Sequence, residues 1–192
     1  MSIVIAAGNS MKLWLASDGR FSGKDKAGNF VIYAEDLPGI RKFSDRIFVG
    51  YVGNAATCTG AINRGADYMK MMGAGETADL LAAGCEFAIR TDPGDPMVDV
   101  QIVVAGVTSS GAFGIYAVRR MGGVVSEQRA RMESPNVCNF AVLSEMEGDT
   151  AWADAIMGRG PDVEENIRAC ILQAAERSDT VNDHISMISL EW

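Results

Sequence analysis

The sequence predicts an α+β fold in which two antiparallel sheets lie face to face, with a pair of helices on the outer side of each. Three observations predict it. The hydrophobic period moves from two to nearly four and back again twice, so the chain reads as strands, two helices, strands, two helices and a last strand. That order does not fit a doubly wound parallel sheet, which needs single helices between its strands. Finally, 192 residues that are 48% hydrophobic and 22% charged suffice for one sizeable core. No linker or internal repeat marks a second domain, so residues 1–192 read as a single domain.

The first two strands form a hairpin. The apolar runs Ile3-Val4-Ile5-Ala6-Ala7 and Lys12-Leu13-Trp14-Leu15-Ala16 are joined by the turn residues Gly8-Asn9-Ser10. The chain then turns at Ser17-Asp18-Gly19-Arg20. From Phe21 to Asp36 it is polar and glycine-bearing, which predicts a loop closed by a short strand at Phe30-Val31-Ile32-Tyr33. After Pro38-Gly39, the alternating Ile40-Arg41-Lys42-Phe43 and the buried run Ile47 to Gly53 predict two strands around a turn at Ser44-Asp45-Arg46.

Asn54 or Thr57 can cap a helix that runs to about Met72 and ends at Gly73-Ala74-Gly75. Thr77 opens a second helix through Ile89, whose Leu80, Leu81, Gly84 and Ala88 give a face suited to close packing. A turn cluster from Thr91 to Pro96 leads into strands over Val98 to Val107 and Ala112 to Val118. These are followed by Val124-Val125 after Gly122-Gly123, and by a short strand over Asn139 to Leu143. Thr150 to Met157 and Pro161 to Arg177 form the second helix pair, with Pro161 and the acids that follow it in a first turn. His184 to Leu190 is the last strand.

Several function classes are excluded at this stage. The net charge is -8, and no block of Lys and Arg could neutralise phosphates, so no nucleic-acid partner is expected. Cys58, Cys85, Cys138 and Cys170 are scattered, with no Cys-x-x-Cys pair, and read as small buried side chains in a reducing compartment. There is no run of eighteen apolar residues and no signal peptide, so no membrane span is expected and the location reads as cytoplasmic. No metal site or cofactor is expected. The glycines at 73 and 75, and at 158 and 160, punctuate helices and are not phosphate loops. His184 reads as structural, and Trp14, Trp152 and the eleven methionines as core or subunit contacts.

The chemistry gathers at the start of the chain. Antiparallel pairing of the hairpin brings Asp18 back beside Ser2. Once Met1 is removed, a hydroxyl, a free α-amine and a carboxylate share one sheet end, the arrangement that an N-terminal nucleophile needs. The competing reading of Asp18 is a turn residue ahead of Gly19.

Ser2, the Ala16-Ser17-Asp18-Gly19-Arg20 corner, the segment from Ile40-Arg41-Lys42-Phe43 to Gly50-Tyr51-Val52-Gly53, and the element order together resemble the proteasome β-subunit family. They look most like its bacterial peptidase members, which work beside an unfoldase ATPase. Val103-Val104-Ala105-Gly106-Val107 and Gly114-Ile115-Tyr116 support the resemblance. It spans nearly the whole chain, strongest in the opening part and weakest from Cys138 onward.

The resemblance implies the four-layer αββα sandwich of the N-terminal-nucleophile hydrolases, a peptide or amide substrate, no cofactor, a homo-oligomeric ring and an unfoldase ATPase partner. The family's nucleophilic threonine falls on Ser2 and its first acid on Asp18. The family serine ahead of the third helix falls on Ser144, and the acid ahead of the last strand on Asp179. The serine three residues further on is replaced by Asn182. Where the family has a lysine that lowers the nucleophile's proton affinity, this chain has Gly39. Lys24, Lys26 and Lys42 are the nearby substitutes, with Lys42 expected to point elsewhere. The expected activity is hydrolysis of peptide or amide bonds by Ser2, with a small-molecule amidase as a variant. The alternative is an inactive assembly subunit that lacks the lysine.

Overall fold

The computed structural model of the chain describes residues 2–24, 27, 29–144 and 151–192. Met1, Lys26, Glu145 and Thr150 fall outside the described residues, as does the side chain of Lys24. One antiparallel sheet is built from β1 (Ile3–Gly8), β2 (Lys12–Asp18), β10 (Asn139–Ser144) and β11 (Ile185–Glu191), in the order β10-β1-β2-β11. The other contains β5 (Ile40–Ser44), β6 (Ile47–Gly53), β7 (Val100–Val107), β8 (Phe113–Met121) and β9 (Val124–Arg131), in sequence order. A two-stranded ribbon, β3 (Phe21–Lys24) with β4 (Phe30–Ala34), stands apart from both.

The period-two pattern sorts side chains between layers. On β1, Val4 and Ala6 face the other sheet and meet Leu13, Leu15, Phe48, Val103, Ala105, Phe113 and Ile115 in the cluster between the sheets. Ile3, Ile5 and Ala7 point the other way, against α3 (Ala151–Met157) and α4 (Val163–Arg177) through Ile156, Ile167 and Ile171. A third cluster joins the five-stranded sheet to α1 (Ala55–Met72) and α2 (Ala78–Arg90) through Val49, Ile102, Val104, Ile62 and Leu81. Three apolar interfaces between four layers make this the αββα sandwich of the N-terminal-nucleophile hydrolase type. β1, which starts beside the site, is buried on both faces, as is β7.

Close approach of α1 and α2 rests on glycine. A Cβ on Gly84 would lie 2.7 Å from the Gly65 carbonyl oxygen, and one on Gly65 would lie 2.9 Å from the Cys85 backbone nitrogen. Neither backbone atom can swing aside as a side-chain end could. Gly84→Val is therefore expected to cost about 3 kcal/mol of stability by forcing the helices apart. A drop in the denaturation midpoint with an unchanged slope would show it.

The structure departs from the sequence reading in three places. Phe21 to Lys24 is a strand, not a loop. It pairs only with β4 among the described residues, in a ribbon whose residues are largely half-buried or exposed, so no apolar alternation marks it. Pro161 lies outside α4, and the N-cap is Asp162, whose carboxylate accepts the Glu165 N–H at 3.0 Å. β9 runs on to Arg131, its mostly exposed side chains hidden from a search for apolar runs. Cys58, Cys85 and Cys170 are buried, and burial pushes Cys85 and Cys170 up to about 12.

Candidate active site

Asp18 is the last residue of β2 and is paired with Ile185 on β11, while its neighbour Ser17 pairs with Val4 on β1. This register sets the Asp18 carboxylate where β1 begins. Oδ1 accepts hydrogen bonds from Ser2 Oγ and, at 3.0 Å, from the Ile3 N–H. Oδ2 accepts from the N–H groups of Arg20 at 3.2 Å and Asn182 at 3.4 Å. One hydroxyl and three backbone amides thus surround a side chain that is 0% exposed.

Burial raises the Asp18 pKa above its ordinary 3.8, and the bonds from Ser2, Ile3, Arg20 and Asn182 only partly offset the rise. Among the described residues no ammonium or guanidinium bonds to this carboxylate. Because the folded-state value is the higher one, Asp18 contributes most to stability when protonated, below its unfolded value. That contribution falls as pH rises through the folded value.

Behind Asp18 lies a staple between the β3–β4 ribbon and the sheet end. Asn182 Oδ1 accepts the Gly19 N–H at 2.8 Å, and its Nδ2 donates to the Glu35 carbonyl at 2.8 Å and to Glu35 Oε2 at 3.0 Å. The Arg20 guanidinium donates to both Glu35 carboxylate oxygens, at 3.0 and 3.3 Å, and to the Asp179 carbonyl oxygen. The Arg20 and Asn182 bonds hold the Glu35 carboxyl below its ordinary value. Beside them, His184 Nδ1 lies 2.6 Å from Asp36 Oδ1, and that bond raises the imidazole pKa.

The residues singled out from sequence are thus placed as follows. Ser2 and Asp18 are in direct contact. Ser144 ends β10 opposite Ile3, one residue from Ser2 along β1, and its carbonyl accepts from Gln101 Nε2 at 2.8 Å. Asp179 meets the site through its backbone carbonyl, with an exposed side chain. Asn182 does more than fill the place of the family serine, since it clamps Asp18, Gly19 and Glu35 together. Glu35 drew no attention from the sequence, because a carboxylate in a polar stretch signals nothing until its partners are placed.

Gly39 sits against Ser2. A Cβ built on it would come 4.0 Å from Ser2 Oγ and 3.5 Å from Val4 Cγ2, so this is the point from which a longer side chain could reach Ser2. The same Cβ would lie 2.8 Å from the Tyr51 carbonyl oxygen, and glycine is what fits here. Lys42 is turned outward in an ion pair with Asp45 at 2.8 Å. A cleft of about 40 Å³ opens beside Ser2, walled by Phe21, Ser22, Leu37, Gly39 and Tyr51. No cluster of three or more His, Cys, Asp or Glu side chains suited to a metal ion occurs among the described residues.

The fold is that of a known structure. The chain matches the crystal structure of eukaryotic HslV from Trypanosoma brucei with a TM-score of 0.69, at 16% sequence identity, over 99% of each chain. No protein-family model and no curated protein matches the sequence.

Proposed function

We propose that the chain is a proteasome-like N-terminal-nucleophile hydrolase that cleaves peptide or amide bonds with Ser2 once Met1 has been removed. The observation that carries this reading is the hydrogen bond from Ser2 Oγ to the buried Asp18 carboxylate at the mouth of a cleft. The carboxylate orients the hydroxyl, and the freed α-amine of Ser2, whose pKa in the unperturbed state is about 7.7–8.0, serves as the base. The amine takes the hydroxyl proton as Oγ bonds to the substrate carbonyl carbon. The C–N bond then breaks, the proton leaves on the departing amine, and an ester on Ser2 remains for water to hydrolyse.

The walls of the cleft suit an extended substrate. Phe21 and Ser22 belong to β3, whose only strand partner among the described residues is β4, and Tyr51 to Gly53 end β6. A peptide laid between them can add to a strand edge, which supports a peptide over a small amide. Assembly into a homo-oligomeric ring beside an unfoldase ATPase, in the cytoplasm, belongs to the same proposal. Exposed Phe30, Ile32 and Leu37 around the ribbon supply apolar surface for subunit contacts. Among the described residues no helix is long and apolar enough to cross a membrane.

The test is covalent. An electrophile directed at N-terminal nucleophiles is expected to add one equivalent to the protein, and peptide mapping should locate it on Ser2. One observation favours a second reading, an inactive assembly subunit. Gly39 leaves Ser2 without the cation that the resembling family supplies at that point. Absence of both labelling and turnover in a correctly processed, ring-forming preparation would select this second reading.

A further inference from the structure

The apolar face between the sheets breaks at one place. On β7 the inward series Val107, Ala105, Val103 ends in Gln101, and on β8 the series Phe113, Ile115, Ala117 ends in Arg119. Gln101 and Arg119 are directly paired across the two strands, and Gln128 on β9 stands opposite Ala117. Three polar side chains therefore converge where alternation would place apolar ones. They line a cavity of about 300 Å³ with Phe140, Ser144 and Asp154.

Polar groups brought into such a layer are costly unless they are hydrogen-bonded. Gln101 is 2% exposed, and its Nε2 is held by the Ser144 carbonyl. Arg119 is half-buried. Its guanidinium donates to the Val142 carbonyl at 3.0 Å and to Gln128 Oε1 at 3.5 Å, both neutral acceptors. Among the described residues no carboxylate bonds to it, and burial lowers its pKa. A guanidinium whose hydrogen bonds among the described residues go to neutral acceptors can take an anionic group, and arginine suits a carboxylate in particular. The cavity also holds the opposite charge, in the exposed Asp154 on α3.

We infer that this cavity binds a small zwitterion, an amino acid or dipeptide, with its carboxylate on the Arg119 guanidinium and its ammonium toward Asp154. Size supports the class. At about 300 Å³ the space stands at the lower limit of small-molecule pockets and is far too small for a folded segment. Mixed charge disfavours a simple anion, which Asp154 would repel. The site is separate from the cleft beside Ser2, and the inference does not depend on Ser2 being catalytic.

Titration calorimetry of the full-length Ser2→Ala protein with alanyl-alanine tests it without hydrolysis of the ligand. Saturable one-to-one binding in the millimolar range or tighter is expected. Binding should weaken about tenfold or more in Arg119→Gln and several-fold in Asp154→Asn, as loss of a charge-assisted bond requires. N-acetyl-alanyl-alanine and alanyl-alanine amide, each lacking one charge, should both bind more weakly than the parent. Asp154 is on the surface, so its variant keeps the test open if Arg119→Gln fails to fold. Absence of saturable binding, or binding that Asp154→Asn and both blocked dipeptides leave unchanged, would overturn the inference.

Discussion

Ser2→Ala is expected to abolish turnover of peptide and amide substrates, with a loss of about 10³-fold or more, and to abolish covalent labelling altogether. Knocking out the nucleophile removes the bond-forming atom, and the residual rate comes only from binding and positioning. The fold should tolerate the change. Asp18 loses one hydroxyl donor but keeps the N–H groups of Ile3, Arg20 and Asn182, so the expected stability change is about 1 kcal/mol. An inactive variant that unfolds like the parent would place the defect in the chemistry. Unaltered turnover in Ser2→Ala would remove Ser2 from the mechanism.

Asp18→Asn should impair both stability and reactivity. Each carboxylate oxygen accepts two hydrogen bonds, and an amide nitrogen accepts none. Whichever way the amide is turned, two donors at the buried site lose their acceptor. At about 1–3 kcal/mol for each of the two unsatisfied groups, the expected cost is about 2–6 kcal/mol. The penalty depends on pH with a defined sign. Because the Asp18 pKa is raised on folding, the parent's advantage over the variant is greatest below pH 3.8, narrows as pH rises through the folded-state value, and is constant above it. Denaturant titrations of both proteins across the acid range measure this difference and cancel the contributions of other carboxylates. In labelling experiments the parent's rate should climb as Asp18 ionises, and that limb should be missing from the variant.

The parts of this architecture legible in the sequence are those where burial imposes a pattern. β1 and β2 are apolar on both faces because each lies between the other sheet and a helix layer, so their runs were unmistakable, and antiparallel geometry alone brought Asp18 toward Ser2. Within the ribbon, β4 is legible at Phe30 to Tyr33, whereas β3 is not, for the opposite reason. The ribbon's faces are largely open, and glycine and polar residues along β3 look like a loop. The staple of Arg20, Glu35 and Asn182 was hidden for a different reason again. Arg20 and Glu35 flank the β3–β4 ribbon, which pairs Phe21 with Ala34, but Asn182 comes from the far end of the chain and joins them only when β11 closes onto β2. Only the resemblance sets Gly39 against the family lysine. Its position beside Ser2 Oγ, hemmed in by the Tyr51 carbonyl, is a fact of the fold.

That glycine sharpens the chemical question at Ser2. Among the described residues no cation bonds to Asp18, whose carboxylate accepts from the Ser2 hydroxyl and three backbone amides, and the proposed mechanism gives the Ser2 proton to the α-amine. The account therefore depends on a free amine at residue 2. The most direct measurement is the intact mass and N-terminal sequence of a preparation that turns over substrate. The account predicts a chain that begins at Ser2 with an unblocked amine. Undiminished turnover by a chain that retains Met1 would contradict it.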